Sequence, residues 1–490
     1  MTATRVAVPL CGALLGAALA LGARAQPFDR PPPPGPLRTL NIATPTEQRL
    51  PNGLRVVLAA RPAVGLVTAQ LVLLSGSETD PPRRTGLATL AAGLLTKGTL
   101  TRSASAQARE AESLGGALAS SAGWNQSQVS ITVTAPQLDP ALALVVDAVM
   151  RPRFAQAELD RLRTQTLDGL KVAYAQPGTL AQLAADRLLF GAHPYGHPPE
   201  GTPASLPRIT RSDVVGLHRQ HYRPGNAVLV LAGDLEDATA LQLAAKHFGR
   251  WKAAAVPPPK HPVPIDDLAP LGLSTRSVVI DMPKVEQAAV VFALPVPALG
   301  ADRATAAVLN TVLGSDFSSR LNQEIRIQRG LSYGVGSQLD ARRLGGALHI
   351  VVQTRNGSAA EVVTLVQTEL DRLVAAPVPQ AELAARKAAL IGNFGRGIET
   401  TTGLANALRV LVVAGLPVSD LRHRIDALMK VTSEDIQRFA DRHLGADGRR
   451  VVVAGDAAEF EAALRGTGLS PVKLGREALD LERDDGLTAR

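Results

Sequence analysis

The sequence predicts an α+β protein that uses one folding unit twice. Three observations carry this. Residues 209–234 read ITRSDVVGLHRQHYRPGNAVLVLAGD and residues 431–456 read VTSEDIQRFADRHLGADGRRVVVAGD, matching without a gap at an offset of 222. Each copy opens with a threonine followed three residues later by an aspartate, a capping-box variant. It continues as a short helix ending near a histidine (His221, His443), then an apolar run closing in Ala-Gly-Asp. Finally, residues 253–275 hold Pro257, Pro258, Pro259, Pro262, Pro264 and Pro270, the composition of a semi-extended linker between two units.

Taken in order, residues 26–39 form a proline-rich arm, 40–252 the first unit, 253–275 the linker, 276–474 the second unit and 475–490 a charged, peripheral tail. In the first unit, residues 54–60 and 66–74 are strand-like through their Val and Leu content. Residues 85–97 form a helix stopped at Gly98, and 103–114 a second helix. Val129, Ile131 and Val133 alternate along a strand over 126–134. Helices follow over 138–150 and 156–174. The second unit repeats the scheme: strands at 277–281 and 288–294, helices at 302–313 and 317–328, strands at 332–339 and 346–354, and long helices from Ala359 and Gln380. Strand pairs alternating with helix pairs imply layered sandwiches with antiparallel-rich sheets.

The 490 residues are 46% apolar and 20% charged, a globular composition, with aromatics at only 3%. Residues 1–25 read as a secretory signal: Arg5, an apolar run from Val6 to Gly22, then Ala23-Arg24-Ala25 before Gln26. The expected location is therefore exported, the periplasm, with no stable membrane insertion after cleavage. Cys11, the sole cysteine, lies in this segment, and Val8-Pro9-Leu10 before it is a poor lipidation signal. A mature chain then has neither a disulfide nor a thiolate ligand. Net charge is +8, or +6 without Arg5 and Arg24. With no long basic run and no aromatic-interleaved basic stripe, nucleic-acid binding is not expected.

The most informative stretch is 86–99, GLATLAAGLLTKGT. Its frame, G-[IL]-A-x-x-x-x-x-x-L-x-K-G-T, resembles the insulinase/pitrilysin/mitochondrial-processing-peptidase family of zinc peptidases. Further similarity lies in the string from Gly191 to His197, in Gly201-Thr202, Ser205-Leu206 and Ile209-Thr210, and in the segment from Tyr222 to Asn226 running into Gly233-Asp234. The resemblance covers about residues 40–474 and implies two homologous domains forming a clamshell around a peptide. It places an inverted His-x-x-Glu-His site on the 86–99 helix, where this chain has Thr89, Ala92 and Gly93. A hydroxyl, a methyl and a hydrogen cannot replace two imidazoles and a carboxylate as metal ligands and base. The family's third ligand, a glutamate, falls by register at Gly169. Asp168 beside it points about 100° away around a helix. No metal is therefore expected on this chain.

Residues 326–333, RIQRGLSY, resemble the family's R-x-x-x-G-L-x-Y segment, in which an arginine and a tyrosine face the scissile peptide. The resemblance assigns that role to Arg326 and Tyr333. A guanidinium and a phenol can stabilise the oxyanion that develops on an attacked carbonyl. Family members also work as pairs in which zinc and the Arg/Tyr residues come from different subunits. The expected partners are thus a zinc-bearing homologous subunit and a peptide substrate, and the expected function is the metal-free subunit of a heteromeric metallopeptidase. A peptide- or protein-binding assembly module without proteolytic role is the alternative.

Three other patterns lead elsewhere. Gly330-Leu-Ser-Tyr-Gly334 matches G-x-S-x-G, but a helix precedes and a strand follows, the reverse of a nucleophile elbow. His193 and His197 enclose Pro194 and Gly196, which suits a loop. His218 and His221 are expected to serve the C-terminus of their helix.

Overall fold

The computed structural model describes residues 42–255, 275–300, 302–482 and 487. Residues 42–490 form one compact unit. The signal segment, the proline-rich arm and most of the linker lie outside the described residues.

The first half holds strands β1 (Thr46–Arg49), β2 (Arg55–Ala60), β3 (Leu66–Leu73), β4 (Ala119–Ala122), β5 (Ser127–Thr134) and β6 (Ala227–Gly233). Its helices are α1 (Leu87–Leu94), α2 (Ala104–Ser113), α3 (Leu138–Met150), α4 (Gln156–Tyr174), α5 (Pro177–Phe190), α6 (Arg211–His221) and α7 (Asp237–Phe248). The second half holds β7 (Ser277–Asp281), β8 (Gln287–Val296), β9 (Gly334–Arg342), β10 (Gly345–Arg355), β11 (Arg450–Gly455) and β12 (Val472–Gly475). Its helices are α8 (Arg303–Asn310), α9 (Ala359–Ala375), α10 (Gln380–Gly397), α11 (Thr401–Val413), α12 (Asp420–Lys430), α13 (Ser433–His443) and α14 (Glu461–Leu464).

The duplication is explicit in the sheets. The first runs β1-β2-β6-β3-β5-β4 and the second β12-β7-β11-β8-β10-β9. Strands β2 and β6 pair in parallel, as do β7 and β11, while β3 and β8 run antiparallel to their neighbours. Helices α6 and α13 lie 222 residues apart, and both begin with a complete capping box, Thr210 with Asp213 and Thr432 with Asp435. Only the edge differs: β1 joins β2 antiparallel, whereas β12 joins β7 in parallel.

Each sheet buries both faces, and the two faces have different owners. Val56, Leu58, Leu71 and Leu229 pack inward on helices of their own half. Their neighbours in the pleat, Val57, Val72, Val228 and Val230, pack against Leu404, Leu408 and Leu411 of α11, a helix of the other half. The second sheet mirrors this. Val278, Ile280, Val291 and Val452 lie against Leu180, Ala184 and Leu188 of α5 from the first half. The halves therefore exchange one helix each.

A polar knot joins them as well. The β9–β10 turn carries Arg342, whose guanidinium stacks 4.1 Å from the Trp124 ring centroid and 4.9 Å from those of Phe190 and Tyr195. Arg343 pairs with Glu78 and donates its backbone N–H to Asn125 at 3.0 Å. His349 of β10 reaches Asp186 of α5 at 2.9 Å.

Three expectations need correction. The 85–97 helix is shorter, ending at Leu94. Residues 317–328 are not one helix. Asp316 is extended and its side chain accepts the Ser318 N–H at 3.0 Å, so the chain turns before a wide-turn helix over Asn322–Gln328. Nor is the tail peripheral: Leu481 is buried, Leu487 is buried, and Glu482 is bonded to the first half. Among the described residues no helix is long and apolar enough to cross a membrane.

Candidate functional site

Helix α1 begins with a constrained backbone. Gly86 has φ +93°, and a Cβ there would lie 2.8 Å from the Glu200 carbonyl oxygen, so only glycine fits without movement. The N–H groups of Gly86 and Ala88 donate to the two carboxylate oxygens of Asp80, at 2.9 and 2.8 Å. Burial pushes the Asp80 carboxyl well above its ordinary range, and these backbone donors oppose the shift.

The three motif positions on α1 have been absorbed into packing. The Thr89 hydroxyl donates to the Pro199 carbonyl at 2.6 Å. Ala92 is fully buried. A Cβ at Gly93 would meet a Leu162 methyl from α4 at 2.9 Å. Leucine thus fills the space a larger side chain at 93 would need. Gly169 lies seven residues further along α4, about 10 Å down the axis. It is exposed with open space around it, and its neighbour Asp168 pairs with Lys171 at 2.8 Å. Among the described residues no group of three His, Cys, Asp or Glu side chains is placed to hold a metal. Neither the chemistry nor the packing at Thr89, Ala92 and Gly93 fits zinc.

Arg326 and Tyr333, by contrast, are brought together. Arg326 sits in the wide-turn helix Asn322–Gln328, an element in which single turns often mark functional positions. Asn322 anchors that helix by donating to the Asp316 and Val335 carbonyls, at 3.1 and 3.3 Å. Gly330, at φ +62°, reverses the chain. Ser332 then accepts the Gly334 N–H at 3.0 Å as β9 begins. The turn returns Tyr333 beside the helix, with the Arg326 guanidinium 4.9 Å from its ring centroid. Phe317 flanks the same guanidinium at 5.0 Å.

The guanidinium thus lies over two aromatic rings, each contact a cation–π interaction. Tyr333 is 88% exposed and Phe317 62% exposed. No carboxylate among the described residues pairs with Arg326. A planar cation held beside two aromatic rings suits a developing oxyanion or a carboxylate. Phe317 was not singled out from sequence, because its contact depends on the turn at Asp316.

The remaining patterns resolve as structure. Ser332 is buried and donates to the Gly334 and Gln353 carbonyls, which leaves no nucleophile there. His193 accepts the Tyr195 N–H at 3.1 Å within a loop, as expected. His218 and His221 both lie in the last turn of α6 and also bond outside it. His218 Nε2 lies 2.7 Å from the Val149 carbonyl, and burial lowers its imidazole pKa. His221 Nδ1 lies 3.1 Å from the Ser75 hydroxyl.

Comparison with known proteins adds the following. A family model described as "Insulinase (Peptidase family M16)" matches residues 55–198, and one described as "Peptidase M16 inactive domain" matches residues 208–390. An uncharacterized zinc protease of Mycobacterium leprae is 29% identical over 400 residues, 81% of this chain and 88% of that protein. The non-peptidase homolog YmxG of Helicobacter pylori is 25% identical, over 76% of this chain and 85% of that protein. A crystal structure of a peptidase M16 inactive domain from Pseudomonas fluorescens superimposes with TM-score 0.76 at 26% identity, covering 85% of this chain and 98% of that one. A protease from Helicobacter pylori shares the fold with TM-score 0.79 at 20% identity, covering 84% and 99%.

Proposed function

This chain belongs to the insulinase family, peptidase family M16, and from that premise we propose that it is the non-zinc-binding subunit of an exported metallopeptidase. On this reading a homologous subunit carries zinc and the base, and this chain contributes Arg326, Tyr333 and part of the peptide-binding surface. One contrast carries the reading. The metal positions Thr89, Ala92 and Gly93 carry no donor set and are engaged by Pro199, the core and Leu162, while the half-buried Arg326 stays beside the exposed ring of Tyr333.

The chemistry asked of this chain is electrostatic. As an amide carbonyl is attacked, charge develops on its oxygen. A guanidinium held beside Phe317 and Tyr333 loses little rotational freedom when it meets that charge, and the Tyr333 hydroxyl can donate a second hydrogen bond. Both sheets end in a strand with no further partner among the described residues. These are β4, against which α1 packs, and β9, which starts one residue after Tyr333. An extended peptide can add to such an edge through backbone hydrogen bonds.

The test is reconstitution. The chain is mixed with a zinc-bearing homologue from the same source, and peptide cleavage is compared for wild type and for Arg326→Ala with Tyr333→Phe. Loss of one such donor is expected to lower kcat by roughly 10²–10³-fold. Equal cleavage by the variant pair removes the proposed role.

A second reading, a catalytically inactive peptide- or protein-binding or assembly component, has the name of the Helicobacter pylori relative in its favour. It predicts that the same variant pair leaves partner binding and any peptidase activity unchanged.

A further inference from the structure

The C-terminal tail passes over a site that the proposed function does not use. After β12 the chain crosses to the first half and delivers the Glu482 carboxylate to two hydroxyls. Thr85, just before α1, donates to Glu482 Oε1 at 2.5 Å, and Thr202 donates to the same oxygen at 2.9 Å. Both threonines are nearly buried, at 5% and 3% exposure.

The receiving loop is built for this. Ser205, fully buried, donates to the Thr85 carbonyl at 2.8 Å and accepts the Thr202 N–H at 2.8 Å. Leu481, next to the carboxylate, is 3% exposed, and Glu482 is itself turned by its N–H donating to Asp480 at 2.9 Å. A cavity of about 310 Å³ opens beside the carboxylate, walled by Trp124, Pro198, His197 and Asp80.

Among the described residues no ion pair reaches Glu482, although Arg83 also lines the cavity. Two further carboxylates, Glu200 and Asp480, share its surroundings near the buried Tyr174 phenol. Two neutral donors in a negative neighbourhood hold a carboxylate specifically but exchangeably.

We propose that the Thr85–Thr202 pocket at the start of α1, which opens into this cavity, is a binding site for an acidic peptide segment of the type Leu-Glu, and that Leu481-Glu482 of this chain fill the pocket in cis. The tail is then a tethered occupant, and an incoming acidic segment reaches the site only by displacing it. The inference stands on Thr85, Thr202 and Glu482 and is independent of Arg326 and Tyr333.

The probe is a fluorescent synthetic peptide, REALDLE, the sequence of residues 476–482. It is titrated against the full chain and against a chain ending at Gly475. The shortened chain should bind it saturably and at least tenfold tighter than the full chain. Thr85→Val, which loses only its bond to Glu482, should weaken that binding at least tenfold, as should a peptide carrying glutamine at the position of Glu482. Equal affinity for the long and short chains, or no effect of Thr85→Val, overturns the proposal.

Should the shortened chain not fold, the full chain gives the answer by amide hydrogen exchange. Thr85→Val should speed exchange of residues 476–482 at least tenfold while leaving α1 unchanged. Unaltered tail exchange overturns the proposal equally.

Discussion

The exchanged helices make a quantitative prediction that crosses the duplication. Leu408 of α11 belongs by sequence to the second half but is fully buried against the first sheet, among Val57, Val72, Val228 and Val230. Leu408→Ala removes buried methyl groups and leaves a cavity lined by β-branched side chains held in strands, which collapse poorly. The expected cost is about 3 kcal/mol, within the range of roughly 2–5 for such truncations. Both tryptophans lie in the first half; Trp124 also stacks on Arg342 of the second half, so a Trp124→Phe background leaves Trp251, buried in the first core, as the reporter of that half alone. A substitution well beyond the linker should therefore lower the urea midpoint seen by tryptophan fluorescence. With a slope of about 3 kcal/mol per molar urea the shift is ~1 M. Fluorescence and far-UV circular dichroism should also move together. A tryptophan transition unmoved by Leu408→Ala would refute the interlock, because the first sheet would then be stable without its borrowed cover.

The remaining predictions concern single residues. Glu78, buried and paired with Arg343, has its carboxyl raised from the ordinary 4.5 to about 7, chiefly by desolvation. A folded-state pKa above the unfolded one means stability is greatest below about pH 4.5 and is lost as pH rises toward 7, by at most about 3 kcal/mol. Glu78→Gln should flatten that slope in thermal melts between pH 5 and 8, and an unchanged slope would assign the titration elsewhere. Gly86→Ala forces a Cβ onto the Glu200 carbonyl at φ +93° and should cost about 1–3 kcal/mol by chemical denaturation. Arg326→Ala and Tyr333→Phe act on a half-buried and an exposed group outside the cores and should leave the isolated chain's stability within about 0.5 kcal/mol. A larger loss would show that the cluster serves the fold.

Much of this architecture is legible in the sequence because it is local. The capping boxes at Thr210 and Thr432, the alternation at Val129, Ile131 and Val133, and the offset of 222 each need only neighbours along the chain to be read. What stays hidden is tertiary. Helix α5 carries apolar residues at Leu180, Ala184 and Leu188, but nothing in that spacing says the partner sheet lies beyond the linker. Asp316 ends a helical pattern through one side-chain bond to Ser318, and so places Phe317 on Arg326. At the candidate site, residue identity already excludes metal ligation at Thr89, Ala92 and Gly93. Only the structure adds that Leu162 fills the space beside Gly93. The tail's charge suggests solvent, yet Leu481 and Glu482 are drawn in by partners nearly 300 residues and more upstream.

The central claim is that the described residues offer no set of side chains able to grip a catalytic metal. Metal analysis of the purified chain, by mass spectrometry after dialysis against micromolar zinc, tests it directly. The expected result is well under 0.1 zinc per chain by order of magnitude for a site lacking donor ligands. One zinc per chain, retained through dialysis and accompanied by peptide cleavage without a partner, would contradict it.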